Sequence, residues 1–231
     1  MTLLRRPFMR SGKEMFGIDR YDPSLALYLP LWYEGLQGSP IVSLDNNRYS
    51  CTVTGATWGS QGRTFDGVDD EINAGNPTNL NITSQITVAC WIKPAVSGNS
   101  VYRTFMVKRL GADANYQLYL NNAAGANAGI LQFYAGSNNN STYVPTMNVW
   151  ILVTATVLAG ASLIYVNASQ VFSGSNTLAT NTGNFYIGRP AVIGGADQAF
   201  SGIVGEAWIY GRALSAQEVQ QIYLATKWRY V

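Results

Sequence analysis

Two groups of carboxylates are the side chains of this sequence best placed to do chemistry. Asp66, Asp69 and Asp70 stand together with Glu71 in one short stretch. Clustered carboxylates are hard oxygen donors, and calcium is the ion that such donors would take. The same spacing makes turns, because an aspartate side chain accepts from backbone N–H groups close ahead of it. Turn chemistry is therefore the first reading of the cluster, with Asp66, Asp69 and Asp70 as candidate calcium ligands in the alternative. Glu206 lies in the strand-like run Ile203–Tyr210, at a spacing that puts it in phase with Val204, Trp208 and Tyr210. A carboxylate held among aromatics can serve as an acid of raised pKa. Its commoner role is an ion pair, here with an arginine such as Arg212 or Arg189. No second acid shares its phase.

The rest of the chemical inventory is small. The chain of 231 residues has no histidine and two cysteines. That excludes histidine-dependent triads and histidine metal sites. Two thiols fall short of the four ligands of structural zinc. No catalytic residue is assigned, and no cofactor is expected apart from the calcium candidate. Cys90 falls in phase with Ile86, Val88 and Ile92 and reads as a buried small hydrophobe; a bridge to Cys51 stays open. Neutral polar residues are abundant. Sugars bind where a ring offers an apolar platform and amides offer hydrogen bonds. The candidates of that kind are Trp58, Tyr102, Asn121, Asn122, Asn138, Asn139, Asn140 and Tyr143. Asn-rich loops are also ordinary turns.

Composition bounds the partners. Charged residues make up 12% and hydrophobic ones 47%, with a net charge of +2. A charge this small gives no dedicated nucleic-acid surface. No apolar run reaches the length of a membrane-spanning helix. The start of the chain lacks the uninterrupted apolar core of a secretory signal. The sequons at Asn81, Asn139, Asn140 and Asn167 then read as by-products of an Asn- and Ser-rich composition.

Residues 1–23 differ from the rest of the chain. They hold five of the fifteen basic residues and three of the five methionines. They show no helical or strand period. A terminal stretch of this kind needs something to hold it. We read it as an arm that docks through Leu3, Leu4, Arg5, Arg6, Phe8, Met9, Arg10, Met15 and Phe16 onto copies of the chain or a larger shell. An arm folded on its own body is the alternative.

Residues 24–231 read as one domain of strands and turns. Ile151–Val157 alternates, and Leu163–Val166 follows an Ala-Gly-Ala turn, which is a hairpin pattern. Tyr116–Leu120 and Ile130–Tyr134 flank a turn-rich segment and form another pair. Phe185–Ile187 and Ile203–Tyr210 supply late strands. Short β-branched and aromatic runs between Gly and Asn clusters argue an antiparallel β-sandwich or jelly roll. One helix stands out. Ser215 and Glu218 have the spacing of a capping box, and Val219, Ile222, Tyr223 and Thr226 follow on one face.

Six pieces of the sequence, in order, resemble the laminin G-like, concanavalin A-like jelly rolls, in the branch with pentraxin-like domains. They are Arg63-Thr-Phe-Asp-Gly-Val-Asp-Asp-Glu-Ile72, Ile86-Thr-Val-Ala-Cys-Trp-Ile-Lys93, and Trp150 with Leu163-Ile-Tyr-Val-Asn167. Phe185-Tyr-Ile-Gly188, Phe200-Ser-Gly-Ile-Val-Gly-Glu206 and Ile209-Tyr-Gly-Arg-Ala-Leu-Ser215 with Glu218 complete the set. The resemblance spans about residues 24–226. It implies an all-β concanavalin A-like sandwich with one short C-terminal helix behind an extended N-terminal arm. Ala168 replaces the family's hairpin glycine, which disfavours a left-handed residue there. Ile151 and Leu152 stand where relatives often carry histidine, and Gly211 where asparagine is usual. Related glucanases carry a tight Glu-x-Asp-x-x-Glu strand, and this chain has none. The fold hosts many functions, so it does not choose among them. The expectation is a non-catalytic assembly protein, best fitted to a virion surface or another extracellular assembly. A carbohydrate-binding attachment module is the alternative, and a glycoside hydrolase or lyase built on Glu206 stands third.

Overall fold

In the computed structural model, residues 18–95, 102–111, 113–121, 129–180, 182–188 and 199–231 are described. Leu3, Leu4, Arg5, Arg6, Phe8, Met9, Arg10, Met15 and Phe16 of the arm lie outside them, as do Asn122 and Arg189. The strands in chain order are β1 (Leu25–Pro30), β2 (Ile41–Val42), β3 (Ser50–Thr54), β4 (Thr57–Gly59), β5 (Gly62–Asp66), β6 (Glu71–Asn73), β7 (Gln85–Pro94) and β8 (Tyr102–Leu110). Then come β9 (Asp113–Asn121), β10 (Ile130–Tyr134), β11 (Asn138–Asn140), β12 (Ile151–Leu158), β13 (Ala161–Val166), β14 (Ser169–Ser175), β15 (Asn184–Ile187) and β16 (Ser201–Tyr210). The helix α1 (Ala216–Thr226) comes last. No described helix is long and apolar enough to cross a membrane.

Two antiparallel sheets form the sandwich. The first runs β14-β13-β12-β7-β16-β5-β4, with β1 also paired to β16. The second runs β11-β10-β9-β8-β15-β6-β3-β2. Strand residues alternate between faces, so every second one enters the space between the sheets. On β7 those are Ile86, Val88, Cys90 and Ile92, which join Leu118, Phe133, Val153 and Phe185 in the main core. Both cysteines are buried there as free thiols. Burial pushes the Cys51 thiol up to about 12, so neither is a ready nucleophile.

The central residues on the other side of β7 do not face water. Ala89 and Trp91 enter a second core with Tyr28, Trp150, Trp208, Val219 and Tyr230. The first sheet is thus covered on both faces, which explains its nearly unbroken hydrophobic runs. The cover is α1. Ser215 accepts from the Glu218 N–H, and Glu218 accepts from the Ser215 N–H at 2.8 Å, which is the expected capping box. Val219 and Thr226 are buried beneath it, and the Trp91 indole donates to Thr226 Oγ1 at 2.8 Å. Ile18 is buried in the same core. Asp22 pairs with Arg212 at 3.3 Å. The described end of the stretch read as an arm therefore lies on the body.

Glu206 sits in this second core. A bulge between Val204 and Glu206 shifts the pairing of β16 with β7. Val204 faces the main core, while Glu206, Trp208 and Tyr210 turn to the helix side. The expected phase of Val204 with Glu206 is corrected by that one extra residue. Gly205 provides it, and a Cβ there would meet the Tyr230 ring at 2.5 Å. The ion-pair partner is also corrected. Arg229 Nη1 reaches Glu206 at 3.0 Å, with both side chains buried. Arg212 bonds Asp22 and Glu218 instead, and holds Glu218 down to about 2. The phenols of Tyr28 and Tyr230 donate to Glu206 at 3.0 and 3.1 Å. Burial pushes the Glu206 carboxyl up to about 7, although Arg229 and the phenols pull it down.

The hairpins form as expected, with one correction. Leu158 pairs with Ala161 across Ala159 and Gly160, both at positive φ. Two-residue hairpins favour such turns because their twist matches the strands. The next turn joins β13 to β14 through Asn167 at φ 50° and Ala168 at φ 66°. Ala168 is left-handed despite its Cβ, because the two-residue connection demands it. Asn167 holds the turn: its side chain accepts from the Leu152 N–H, and its own N–H donates to the Leu152 carbonyl, each at 2.9 Å.

These local conflicts generate two measurable effects. A left-handed alanine costs about 1–2 kcal/mol that glycine avoids, less glycine's larger entropy loss. Ala168→Gly should raise the unfolding free energy in urea by roughly 0.5–1 kcal/mol; equal or lower stability would show a relaxed turn. Glu206 has a folded pKa of about 7 against an ordinary 4.5. Between those values the unfolded chain releases a proton that the folded one keeps, so stability falls as pH rises. Relative to Glu206→Gln, which does not titrate, the parent should lose about 3 kcal/mol of stability from pH 4.5 to 7, measured by urea titration. A constant gap would mean that Glu206 is ionised throughout.

Candidate functional site

The outer face of the second sheet carries the groups that can recognise a ligand. Its strands face the core with Tyr116, Leu118, Leu120, Leu131 and Phe133. The residues between them point the opposite way. One cross-strand row reads Asn138, Tyr134, Gln117, Val107, Tyr186 and Asn73. The next reads Asn140, Gln132, Tyr119 and Thr104. Tyrosines and amides thus stand side by side across this face.

These rows enclose a recess of about 160 Å³ lined by Tyr102, Arg109, Ala114, Gln117, Tyr119, Tyr134 and Asn138. Tyr102 stands edge-on to Tyr119, with ring centres 5.4 Å apart and planes at 89°. Tyr102 is 39% exposed and Tyr119 only 4%. The outer ring is available to a ligand and the inner one braces it. The Tyr119 hydroxyl donates to Asn138 Oδ1 at 2.8 Å. Burial pushes that phenol well above its usual pKa, so it acts as a neutral donor. Gln117 donates to Thr104 Oγ1 at 2.7 Å and accepts from Arg109 at 3.3 Å. Arg109 also donates to the Gly111 carbonyl at 3.0 Å. The polar groups are held by one another in fixed rotamers. Val107, Ala114 and Tyr186 make a small apolar floor with Tyr134 packed on it.

The sequence-derived candidates divide. Tyr102 and Asn138 line the recess. Asn121 pairs with Tyr102 across the strands and is buried. Asn140 is exposed one row away. Asn139 is corrected to an inward position, 4% exposed and opposite Phe133, because its neighbours take the outer face. Tyr143 packs on the main core, and its N–H donates to Ser141 Oγ at 3.2 Å. Trp58 lies half-buried on β4 at an end of the other sheet, so it does not join the recess. Arg109, Gln117, Tyr119 and Tyr134 were missed. For Gln117, Tyr119 and Tyr134 the signal was the alternation in Tyr116–Leu120 and Ile130–Tyr134, which marks polar residues on the face away from the core; Arg109, on β8, lies outside both runs.

The aspartates form a different feature. One oxygen from each of Asp66, Asp69 and Asp70 lies within 4.8 Å of the other two. Asp66 accepts from the Val68 N–H at 2.7 Å, and Asp70 from the Asp66 N–H at 2.8 Å. That is the turn between β5 and β6. Burial, with repulsion from Asp66 and Asp69, raises the Asp70 pKa. Calcium takes about six to eight oxygens, and this cluster supplies only part of such a shell. Glu206 is fully buried among its phenols and Arg229.

Comparison with known proteins bears on the fold. No curated protein matches the chain. Among solved structures, domain 4 of AbnA, an extracellular arabinanase of Geobacillus stearothermophilus in complex with arabinotriose, superposes with a TM-score of 0.65 at 20% identity, covering 87% of this chain and 98% of that one. Trypanosoma rangeli sialidase in complex with sialic acid gives 0.69 at 16% identity, covering 89% of this chain and 33% of that one. The binding domain of botulinum neurotoxin serotype D gives 0.68 at 15%, covering 90% and 53%. The chain therefore spans about a third of the sialidase. At such identities these likenesses are of fold. A family model matches residues 65–220, most of the sandwich, and with it the chain belongs to the concanavalin A-like lectin/glucanases superfamily.

Proposed function

We propose that this chain is a non-catalytic carbohydrate-binding domain that holds a sugar unit in the recess of its second sheet. The observation that carries this reading is the convergence of Tyr102, Tyr119 and Tyr134 with Gln117, Asn138 and Arg109 around one small concavity. Tyrosine offers a rigid apolar ring with a polar tip, which suits the mixed surface of a sugar. Amides offer both donors and acceptors to hydroxyls. Pre-fixed rotamers lower the ordering cost of binding. The arabinotriose held by the AbnA domain is a ligand of the same chemical class. The Glu206 carboxylate is clamped in the second core, and no carboxylate of the described residues lines the recess, whereas a glycosidase needs a pair of them. A catalytic reading therefore has no support in the recess.

A second reading is the seating of the domain on copies of itself or on a larger shell, with a virion surface as the setting. It rests on the composition of residues 1–23. Because Ile18 and Asp22 bind the body, the cut that isolates such an arm falls before Ile18. Loss of particle size on that cut would support it.

The recess is tested by a glycan array and then by calorimetry on the best ligand. Saturable binding is expected, with Tyr134→Ala weakening it by about tenfold, roughly 1.4 kcal/mol, while Trp58→Ala leaves it unchanged. The bound glycan should stay intact on prolonged incubation. No binding on the array, or a Tyr134→Ala protein as tight as the parent, would remove the recess from function.

A further inference from the structure

We propose that the recess between Ile18 and the outer side of α1 is the seat of the chain's own residues 1–17, held there through Arg10 and Lys13. This inference is independent of the sugar recess, and a segment seated in this way is not free to reach a shell. The recess has a volume of about 190 Å³. Its floor is apolar. Ile18 and Leu214 are buried there, and Ile222 packs on the same second core.

Its rim is acidic. Asp19, Asp22 and Glu218 line it together with one guanidinium, that of Arg212. Arg212 lies 3.3 Å from Asp22 and 2.7 Å from Glu218. The Arg20 guanidinium is turned to the Tyr21 ring, 5.0 Å from its centre. The hydrogen bond from Arg212 holds Glu218 down to about 2, so this carboxylate stays charged at neutral pH. An apolar floor below a rim of net negative charge suits side chains with an aliphatic stem and a cationic head.

The charge distribution of the chain identifies the occupant. Residues 1–17 carry Arg5, Arg6, Arg10 and Lys13 against Glu14, a net +3 in a chain of net +2. Residues 18–231 are therefore net −1, and their acidic recess opens where the basic segment ends. Ile18, the first described residue, belongs to the lining. Lys13 and Arg10 precede it by five and eight residues, a reach of at most about 18 and 29 Å. So short a tether gives an effective concentration on the order of millimolar, above that of a second copy in dilute solution. Met9, Met15 and Phe16 of the same segment offer apolar surface to the floor.

Trypsin cuts after arginine and lysine, and a seated segment must leave the recess before it is cut. Cleavage of the full chain after Arg10 and Lys13, followed by intact mass, is compared with cleavage of a synthetic peptide of residues 1–17. The expected rate in the full chain is at least about tenfold lower, and it does not change on dilution. Gln221 is exposed on the lining, and Gln221→Lys adds a like charge at little cost to the helix. It should return most of the lost rate with an unchanged circular dichroism spectrum, while Gln221→Glu should slow cleavage further. A parent cut as fast as the peptide overturns the proposal. So does protection that Gln221→Lys leaves intact, which puts the seat elsewhere, or protection that fades on dilution, which puts it on another copy.

Discussion

The strand register of β8, β9 and β10 is the constraint on which the site depends. Leu118 pairs between Met106 and Phe133, and all three enter the main core. Because strand side chains alternate, that pairing forces Gln117 and Tyr119 outward. A slip by one residue would put the polar set into the core and the leucines into water. The recess is therefore specified by core packing. Its own hydrogen bonds, Gln117 to Thr104 and Tyr119 to Asn138, only trim its rotamers. The same hydrophobic force that closes the sandwich arranges the tyrosines, and no separate local signal is needed.

The opposite sheet solves a different problem. With β7 apolar on both faces, its outer side would expose Trp91 and Trp208 unless covered. The helix α1 and the residues after it supply the cover, and Glu206 fastens them through Tyr230 and Arg229. A buried ion pair is weak evidence for stability, since removal of two charges from water offsets their attraction. Its effect here is positional. Trp91 lies 4.6 Å from the Tyr230 ring and 5.9 Å from the Tyr223 ring, and such stacking fits only one docking of the tail. Glu206 thus ties the C-terminal residues Arg229 and Tyr230 to the sheet.

Much of this was legible in the sequence wherever a local pattern had one physical meaning. The Ser215–Glu218 box, the alternation of β12 and the inward phase of Cys90 each act over a few residues. The failures share a cause. The bulge at Gly205 inserts one residue and reverses the phase of Glu206, which no periodicity can foresee. Ala168 goes left-handed because the span between two strands leaves no other route. The amide-rich loops drew attention as a binding surface because loops often carry function. The recess lies on strand faces instead; Tyr102 and Asn138 were among the candidates, while Gln117, Tyr119 and Tyr134 were visible only as the polar half of an alternation used to locate the core.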